Sequence, residues 1–333
     1  MRPKLTVIDG GKTDDEPVEL IDPKSNGGTE IQARRLFSEL PDLCEQFDWV
    51  LSYPKKPINP KRPTILWMHE TPFDRGIQTQ FKDPNYWKQF VKIVFVSYWQ
   101  QQMFHVMYGV PYEISMVVQN AIDPIQIEEK PLGQPIKLIY ASTPHRGLDI
   151  LLDVVENDLN DFNWELDVFS SFKLYNRPSN DIQYQKLFDR CDNNDRINYY
   201  GNRPNEEVRK AMINSHVLAY PNTYLETSCI VAMEAMSAKN LIVCPQFGAL
   251  PETTGQFAWT YNMEHDKSRH RYLFSHLLKN VMMTYENIDC QNMIGLQKVY
   301  ADTFYNWQIR LQLWQQLLEG MSAMIRPPTG GVS

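Results

Sequence analysis

The sequence predicts an α/β protein with parallel sheets, divided into two halves. Short apolar runs alternate with segments of helical periodicity, as is typical of strands joined by helical crossovers. The alternation stops at residues 124–135, which contain three prolines, a glycine and several charges, and then starts again. The length of 333 residues also favours about two domains. We therefore expect two α/β halves with a cleft between them.

In the first half, apolar runs predict four strands, at residues 5–8, 48–51, 64–68 and 93–97. A helix is predicted between the first two strands, because Ala33, Leu36 and Phe37 recur at helical spacing after residues 26–29. A second helix is predicted from residue 97 to residue 107, where Gly109 and Pro111 follow as a stop signal.

In the second half, the same criteria predict strands at residues 136–141, 165–169, 197–200, 217–220 and 241–243. Helices are predicted between them, at residues 148–155, 206–213 and 228–238. The final hundred residues are expected to be mostly helical, and the tail at 326–333, which is rich in proline and glycine, to be disordered.

The composition excludes several classes of protein. Lys and Arg number 33 against 40 Asp and Glu, and the net charge of −7 argues against a general attraction to nucleic acid or anionic membrane. The five cysteines are scattered and form no C-x-x-C pair, which indicates reduced thiols in the cytoplasm. No signal peptide and no apolar run of about 20 residues is present, so at most a weak peripheral membrane contact is expected. The Pro/Lys stretch at 55–62 favours a solvated loop over an acceptor or membrane patch.

Common cofactor and metal motifs are incomplete. Gly10-Gly11-Lys12-Thr13 resembles the end of a phosphate-binding P-loop, but Thr6 stands where that loop needs its first glycine. No G-x-G-x-x-G follows the first strand, so a Rossmann dehydrogenase is not predicted. H-E-x-x-H and D-x-D are absent as well, and we therefore predict neither a metal site nor a cofactor.

The most informative segment is residues 220–236, in which a strand end leads through a loop to a helix predicted to start near Ser228. Backbone N–H groups at a helix start suit a phosphate, and the small residues Thr227, Ser228 and Cys229 let a ligand approach them. The alternative is an ordinary strand-to-helix connection in which Ser228 is the N-cap.

Glu226 and Glu234 in this segment form an E-x7-E motif that resembles the donor site of family 4 of the retaining glycosyltransferases. Four further segments resemble elements of that family, in the same order along the chain: the glycine loop Asn26-Gly27-Gly28-Thr29, residues 118–123, His145-Arg146-Gly147-Leu148, and residues 247–252.

The resemblance implies a GT-B enzyme with two Rossmann-like domains. It would move a hexose-type sugar from a nucleotide diphosphate-sugar co-substrate (UDP or GDP) to a glycan, lipid or other hydroxyl acceptor, with retention and without metal, as in polysaccharide biosynthesis. The implied domains are an acceptor-side half at 1–125, a linker at 126–134, a nucleotide-sugar half at 135–303, and a helix at 304–325 that crosses back to the first half.

The resemblance also implies the site residues. The catalytic candidates are Glu226, Arg146 and His69. The donor-binding candidates are Gly28, Ser142, Asn202, Arg203, Thr227, Ser228, Cys229 and Glu234. Tyr140 replaces an arginine common in the family, so Arg146 is the one obvious cation for the diphosphate and the Ser142 hydroxyl supplements it.

Other interpretations remain open at this stage. Arg146 is also consistent with an ordinary surface arginine, His69 with a structural histidine, and Gly28 with a plain turn glycine. At the level of function, the alternatives are a non-catalytic sugar-nucleotide or glycan binder, and a GT-B nucleotide-sugar epimerase. Fold alone does not distinguish them.

Overall fold

The structure is a computed structural model that describes residues 21–54, 57–130, 132–133 and 135–325. Within this part of the chain, two compact units are present. Unit 1 comprises residues 21–23, 28–120 and 307–325, and unit 2 comprises residues 24–27 and 121–306. The predicted strand at 5–8, the motif at 10–13 and the tail at 326–333 lie outside the described residues.

Unit 1 begins with short alternating elements. Its helices before residue 120 are α1 (Gly28–Glu39), α2 (Pro41–Cys44), α3 (Arg75–Phe81), α4 (Pro84–Trp87) and α5 (Tyr98–Tyr108). Its strands are β1 (Asp48–Leu51), β2 (Thr64–Met68), β3 (Lys92–Phe95) and β4 (Ser115–Val117).

The remaining elements follow residue 135. The strands are β5 (Ile136–Ala141), β6 (Trp164–Phe169), β7 (Ile197–Tyr199), β8 (Val217–Ala219), β9 (Leu241–Gln246) and β10 (Trp259–Asn262). The helices are α6 (Leu148–Asn157), α7 (Gln185–Asp192), α8 (Asn205–Asn214), α9 (Ile230–Ser237), α10 (Leu250–Thr254), α11 (Lys267–Thr284), α12 (Ile288–Phe304) and α13 (Trp307–Ile325).

The described strands of unit 1 form one parallel sheet in the order β1-β2-β3-β4. The predictions for β1, β2, α1 and α5 are confirmed, whereas β3 ends at Phe95 and not at residue 97. It ends there because the Ser97 hydroxyl accepts the Gln100 amide and caps α5. The elements α3, α4 and β4 were not predicted, since they span only three to seven residues and show no usable periodicity.

The core of unit 1 is built on three tryptophans, one of which comes from the last helix. The ring centroid of Trp314 in α13 lies 4.8 Å from that of Trp67 and 5.8 Å from that of Trp49. All three side chains are buried. Burying aromatic rings of this size stabilises a domain strongly, so α13 is an integral part of unit 1.

Unit 2 contains a six-stranded parallel sheet in the order β10-β9-β8-β5-β6-β7. The chain moves outward from β5 to β7, then returns to the other side of β5 and continues from β8 to β10. This is the strand order of a doubly wound Rossmann sheet, whose direction switches between β5 and β8. The predicted strands and helices of this half are confirmed to within three residues, and β10 and α7 were not predicted.

The borders of the units differ from the predicted ones. The Ile122 amide donates to the Tyr305 carbonyl at 2.7 Å, which ties residues 121–125 and 304–306 to unit 2. The described part of the predicted linker also belongs to unit 2. Its Lys130 ammonium is buried and donates to the Met212 and Ser215 carbonyls and to Asn240 Oδ1. One residue of this polar segment, Lys130, therefore donates hydrogen bonds to backbone carbonyls at the carboxyl end of α8.

In the part of the chain that the structure describes, no helix combines the length and apolar character needed to cross a bilayer.

Candidate functional site

The candidate site lies at the carboxyl edge of the sheet of unit 2, where β5 and β8 are neighbours. Leu138 of β5 pairs with Val217 of β8, and the chain leaves these two strands toward opposite sides of the sheet. Loops diverge at such a switch point, and ligands of α/β proteins bind in the space between them. Arg146 lies in the loop that follows β5 and Glu226 in the loop that follows β8.

Arg146 and Glu226 form a largely buried ion pair, in which the Glu226 side chain is 5% exposed and the Arg146 side chain 18%. Arg146 Nη1 donates to Glu226 Oε1 at 2.7 Å, and the Tyr220 hydroxyl donates to the same oxygen at 2.6 Å. The guanidinium also lies over the ring of Tyr224, at 4.3 Å from its centroid. Burial by itself would lower the pKa of Arg146, but the Glu226 carboxylate raises it well above its usual value. The guanidinium therefore remains charged.

Two glycines allow the loops to approach each other. Gly147 has φ +102°, and a Cβ there would lie 2.0 Å from the Pro221 carbonyl oxygen. Gly248 has φ +61°, and a Cβ there would lie 2.3 Å from the Glu226 carbonyl oxygen. Any other residue at these positions would push the loop of Arg146 and the backbone of Glu226 away from their neighbours.

Several buried polar atoms at the carboxyl edge find no hydrogen-bond partner among the described residues. They are Thr143 Oγ1, His145 Nδ1, Arg146 Nε, Ser170 Oγ and Ser228 Oγ. Buried polar atoms are nearly always hydrogen-bonded in folded proteins. Their accumulation in the loops after β5, β6 and β8 is suited to a ligand that is itself polar, such as a phosphate.

Apart from Glu226, two titratable side chains close to Arg146, His145 and Cys229, are uncharged. Burial, together with the charge of Arg146, lowers the pKa of His145 to about 4, so its imidazole is neutral near pH 7. Burial raises the pKa of the Cys229 thiol well above its usual value. Cys229 therefore carries no thiolate nucleophile.

Glu234 lies in a second arginine–glutamate pair. Its Oε1 accepts from Arg209 Nη1 at 3.0 Å and from Asn205 Nδ2 at 3.0 Å. Arg209 and Asn205 lie four residues apart in α8 and therefore share one face of that helix. This spacing is the one sequence signal that relates the two residues to each other. Burial raises the pKa of Glu234 to about 7, although Arg209 acts in the opposite direction.

The helix that carries Glu234 starts later than predicted. It begins at Ile230, and Cys229 occupies the N-cap position with an extended backbone, so Ser228 belongs to the loop and does not cap α9. Thr227, Ser228 and Cys229 therefore form the end of the loop that follows Glu226. The alternative in which Ser228 caps the helix is therefore wrong, because the backbone runs extended for one residue more, through Cys229.

The other predicted residues of unit 2 lie at the same edge but outside the ion pair. Ser142 Oγ is 3.4 Å from the Tyr220 hydroxyl oxygen. Asn202 and Arg203 are exposed in the loop that follows β7. Arg203 Nε lies 3.8 Å from Glu207 Oε2 on a solvated surface, a pairing that contributes little.

His69 and Gly28 belong to unit 1. His69 follows β2, its amide donates to Ser52 Oγ at 2.9 Å, and its ring lies 4.8 Å from that of Trp67. Burial lowers the pKa of His69 to about 3, so its imidazole is neutral. Gly28 is the first residue of α1.

In the described residues, no group of three or more His, Cys, Asp or Glu side chains is arranged to hold a metal ion. All five cysteines are buried and free.

The close contact between Gly147 and Pro221 leads to a first prediction. Gly147→Ala should destabilise the protein more than Gly201→Ala, a control that also has positive φ (+63°) but whose added Cβ would meet nothing closer than 3.8 Å. The left-handed backbone costs both variants about 1–2 kcal/mol. The contact with Pro221 adds about 1–3 kcal/mol to the Gly147 variant alone. Equal thermal midpoints for the two variants would contradict this account.

Glu234 leads to a prediction about pH. The pKa of Glu234 is higher in the folded protein than in the unfolded chain, so protonation of this side chain stabilises the folded state. This contribution is fully present below about pH 4.5 and is lost as the pH rises through about 7. The free energy of unfolding of the wild type, relative to Glu234→Gln, should fall by up to about 3 kcal/mol over this range. Urea unfolding at several pH values measures the difference. Glu165→Gln, which removes a half-exposed carboxylate, is the control. Parallel pH dependence of the wild type and Glu234→Gln would show that Glu234 ionises normally.

Comparison with known proteins supports the fold. Residues 126–263 match the family model described as glycosyl transferases group 1, and this segment contains the β5 and β8 loops. No curated protein sequence matches the chain significantly.

Solved structures show a broader likeness. The complex of HepE from Anabaena with UDP and glucose is 17% identical, with a TM-score of 0.62 over 92% of this chain and 86% of that chain. A glycosyltransferase from Rickettsia africae is 11% identical, with a TM-score of 0.65 over 91% and 84%. WaaG, a glycosyltransferase involved in lipopolysaccharide biosynthesis, is 14% identical, with a TM-score of 0.60 over 93% and 98%. At these identities the likeness shows the fold alone, an α/β fold with two parallel sheets that matches GT-B glycosyltransferase structures, as the sequence predicts.

Proposed function

We propose that this protein is a glycosyltransferase that moves a hexose-type sugar from a nucleotide diphosphate-sugar to a hydroxyl group of a glycan, lipid or other acceptor. The observation that carries the proposal is the buried Arg146–Glu226 pair, surrounded by unpartnered polar atoms, at the switch point of the sheet of unit 2. The match of this segment to the group 1 glycosyltransferase model supports it.

We infer that Arg146 stabilises the departing diphosphate. One edge of the guanidinium binds Glu226 through Nη1, and Nε has no partner among the described residues. A permanently charged, planar group with free N–H bonds is suited to phosphate oxygens. The hydroxyls of Thr143 and Ser228, which are also unpartnered, add neutral donors at the same edge. Stabilising the leaving group in this way lowers the barrier to breaking the bond between sugar and phosphate.

We assign the sugar hydroxyls to Glu226 and the ribose of the donor to Glu234. Each carboxylate is held on Oε1 by an arginine and one further donor. A carboxylate fixed in this way accepts hydroxyl groups in a defined orientation, and orientation is a main source of catalytic rate. We further propose that the reaction retains the anomeric configuration and that His69 takes part in it.

UDP-sugars are the first donors to test. HepE has been solved with UDP-glucose and with UDP and glucose, and a pneumococcal O-GlcNAc transferase has been solved with UDP and GlcNAc. We propose a UDP-linked hexose as the donor, with GDP-sugars as the alternative. Thermal stabilisation by a panel of nucleotide-sugars identifies the donor, because a ligand at 100 times its Kd stabilises the folded state by about 2.7 kcal/mol.

The role of Arg146 predicts a large kinetic effect. Arg146→Ala should lower kcat on the order of 10²–10³-fold with that donor, and Arg146→Lys should restore part of the loss, since lysine supplies the charge without the fork. Arg190→Ala is the control, because Arg190 is also ion-paired in unit 2, with Asp153 and Glu156. Wild-type turnover in a folded Arg146→Ala protein would remove Arg146 from the mechanism.

The proposed chemistry also predicts independence from metal. Because the diphosphate charge is met by Arg146 and neutral donors, turnover should persist in excess EDTA. The measurement compares initial rates before and after chelation and after addition of Mn²⁺ or Mg²⁺. Loss of activity on chelation, with recovery on adding either ion, would contradict the metal-free mechanism.

A further inference from the structure

Tyr220 is a buried tyrosine that is not among the site residues predicted from the sequence. It is the first residue after β8 and is 1% exposed. Its hydroxyl donates to Glu226 Oε1 at 2.6 Å and lies 3.4 Å from Ser142 Oγ. The Tyr140 ring packs beside it, with 6.0 Å between the ring centroids. The phenol therefore connects three residues at the carboxyl edge.

The two hydrogen bonds described for the Glu226 side chain both fall on Oε1, one from Tyr220 and one from Arg146. The backbone of Glu226 is held as well, because its carbonyl accepts the Ala249 amide at 2.8 Å. With its backbone fixed and one oxygen bound twice, the carboxylate has a defined plane. Its second oxygen then has a defined direction.

A diphosphate that binds Arg146 would compete with Glu226 for the guanidinium. The diphosphate of the donor carries two negative charges and therefore attracts a cation more strongly than a single carboxylate does. If the Arg146–Glu226 bond weakened, the buried Glu226 carboxylate would lose its charged partner, which is costly in a buried position. The Tyr220 hydroxyl is a neutral donor that the diphosphate does not attract away, so it can hold Oε1 throughout.

We propose that Tyr220 is a positioning residue, whose hydroxyl holds Glu226 in its substrate-binding orientation when Arg146 engages the diphosphate. This inference rests on the proposed function. Tyr220 acts through Glu226 and not on the substrate. Burial raises the pKa of Tyr220 well above its usual value, so the phenol keeps the proton that it donates.

The test is Tyr220→Phe, which removes the hydroxyl and retains the ring. With the donor identified by the panel, kcat should fall on the order of 10- to 100-fold, as for loss of one hydrogen bond to a charged group. The affinity for UDP should fall as well, because without the Tyr220 hydroxyl a diphosphate that engages Arg146 leaves the buried Glu226 carboxylate without a donor. Tyr305→Phe, which removes another buried hydroxyl that donates to the Thr253 carbonyl at 2.8 Å and to the Glu252 carbonyl at 3.4 Å, should leave kcat unchanged.

A double-mutant cycle shows whether Tyr220 acts through Glu226. In a Glu226→Gln protein, Tyr220→Phe should lower kcat less than about 3-fold further, because the orientation that it supports is already lost. Full, multiplicative losses in the double variant, or wild-type kcat in the single variant, would overturn the inference. If Tyr220→Phe alone does not fold, the test is whether the Tyr220→Phe, Glu226→Gln double variant folds. Recovered folding indicates the predicted coupling between the two side chains, and failure to recover contradicts that coupling. A wild type that turns over no nucleotide-sugar would refute the proposed function itself, whereas an active wild type with an unaffected Tyr220→Phe refutes only this inference.

Discussion

The pairing of Arg146 with Glu226 is the interaction on which the site depends. Neither charge would be stable alone in a position this buried, because desolvation of an unpaired ion costs several kcal/mol. At 2.7 Å, and with Tyr220 as a second donor to the same oxygen, the pair satisfies both charges. The pair requires the loops after β5 and β8 to lie in contact. Gly147 permits this contact, and Gly248, in the loop after β9, permits the close approach of that loop to the backbone of Glu226.

The same arrangement recurs at the second glutamate. Glu234 is held on one oxygen by Arg209 and Asn205, as Glu226 is held by Arg146 and Tyr220. Both acids are therefore positioned before any ligand binds, so little order remains to be imposed on binding. The two pairs differ in one respect. The pKa of Glu234 is raised to about 7, so its charge is only partly compensated by Arg209.

The parts of the fold that could be predicted are those with strong local patterns. The largely apolar strands β2 and β5 and the helices α1 and α6 lie close to their predicted bounds, because each buries a continuous apolar surface. Short elements such as α3 and β4 escaped prediction, since a few residues do not establish a period. In the described part of the predicted linker, the polar composition gave no sign that Lys130 is buried, because its hydrogen bonds are made to distant residues.

The sequence by itself determined the α/β class, through the alternation of strands and helices, and it identified the segments of the candidate site. The spacing of Glu226 and Glu234 and the glycine after Arg146 resemble a family of nucleotide-sugar enzymes, and the proposed chemistry comes from that resemblance. Only the tertiary structure decided which groups pair. Arg146 lies 80 residues before Glu226, and Arg209 lies 25 residues before Glu234. Local patterns specify which segments become strands, but they do not specify that β8 returns to lie beside β5. That strand order brings the guanidinium and the carboxylate together, because it places the ends of both strands at one edge.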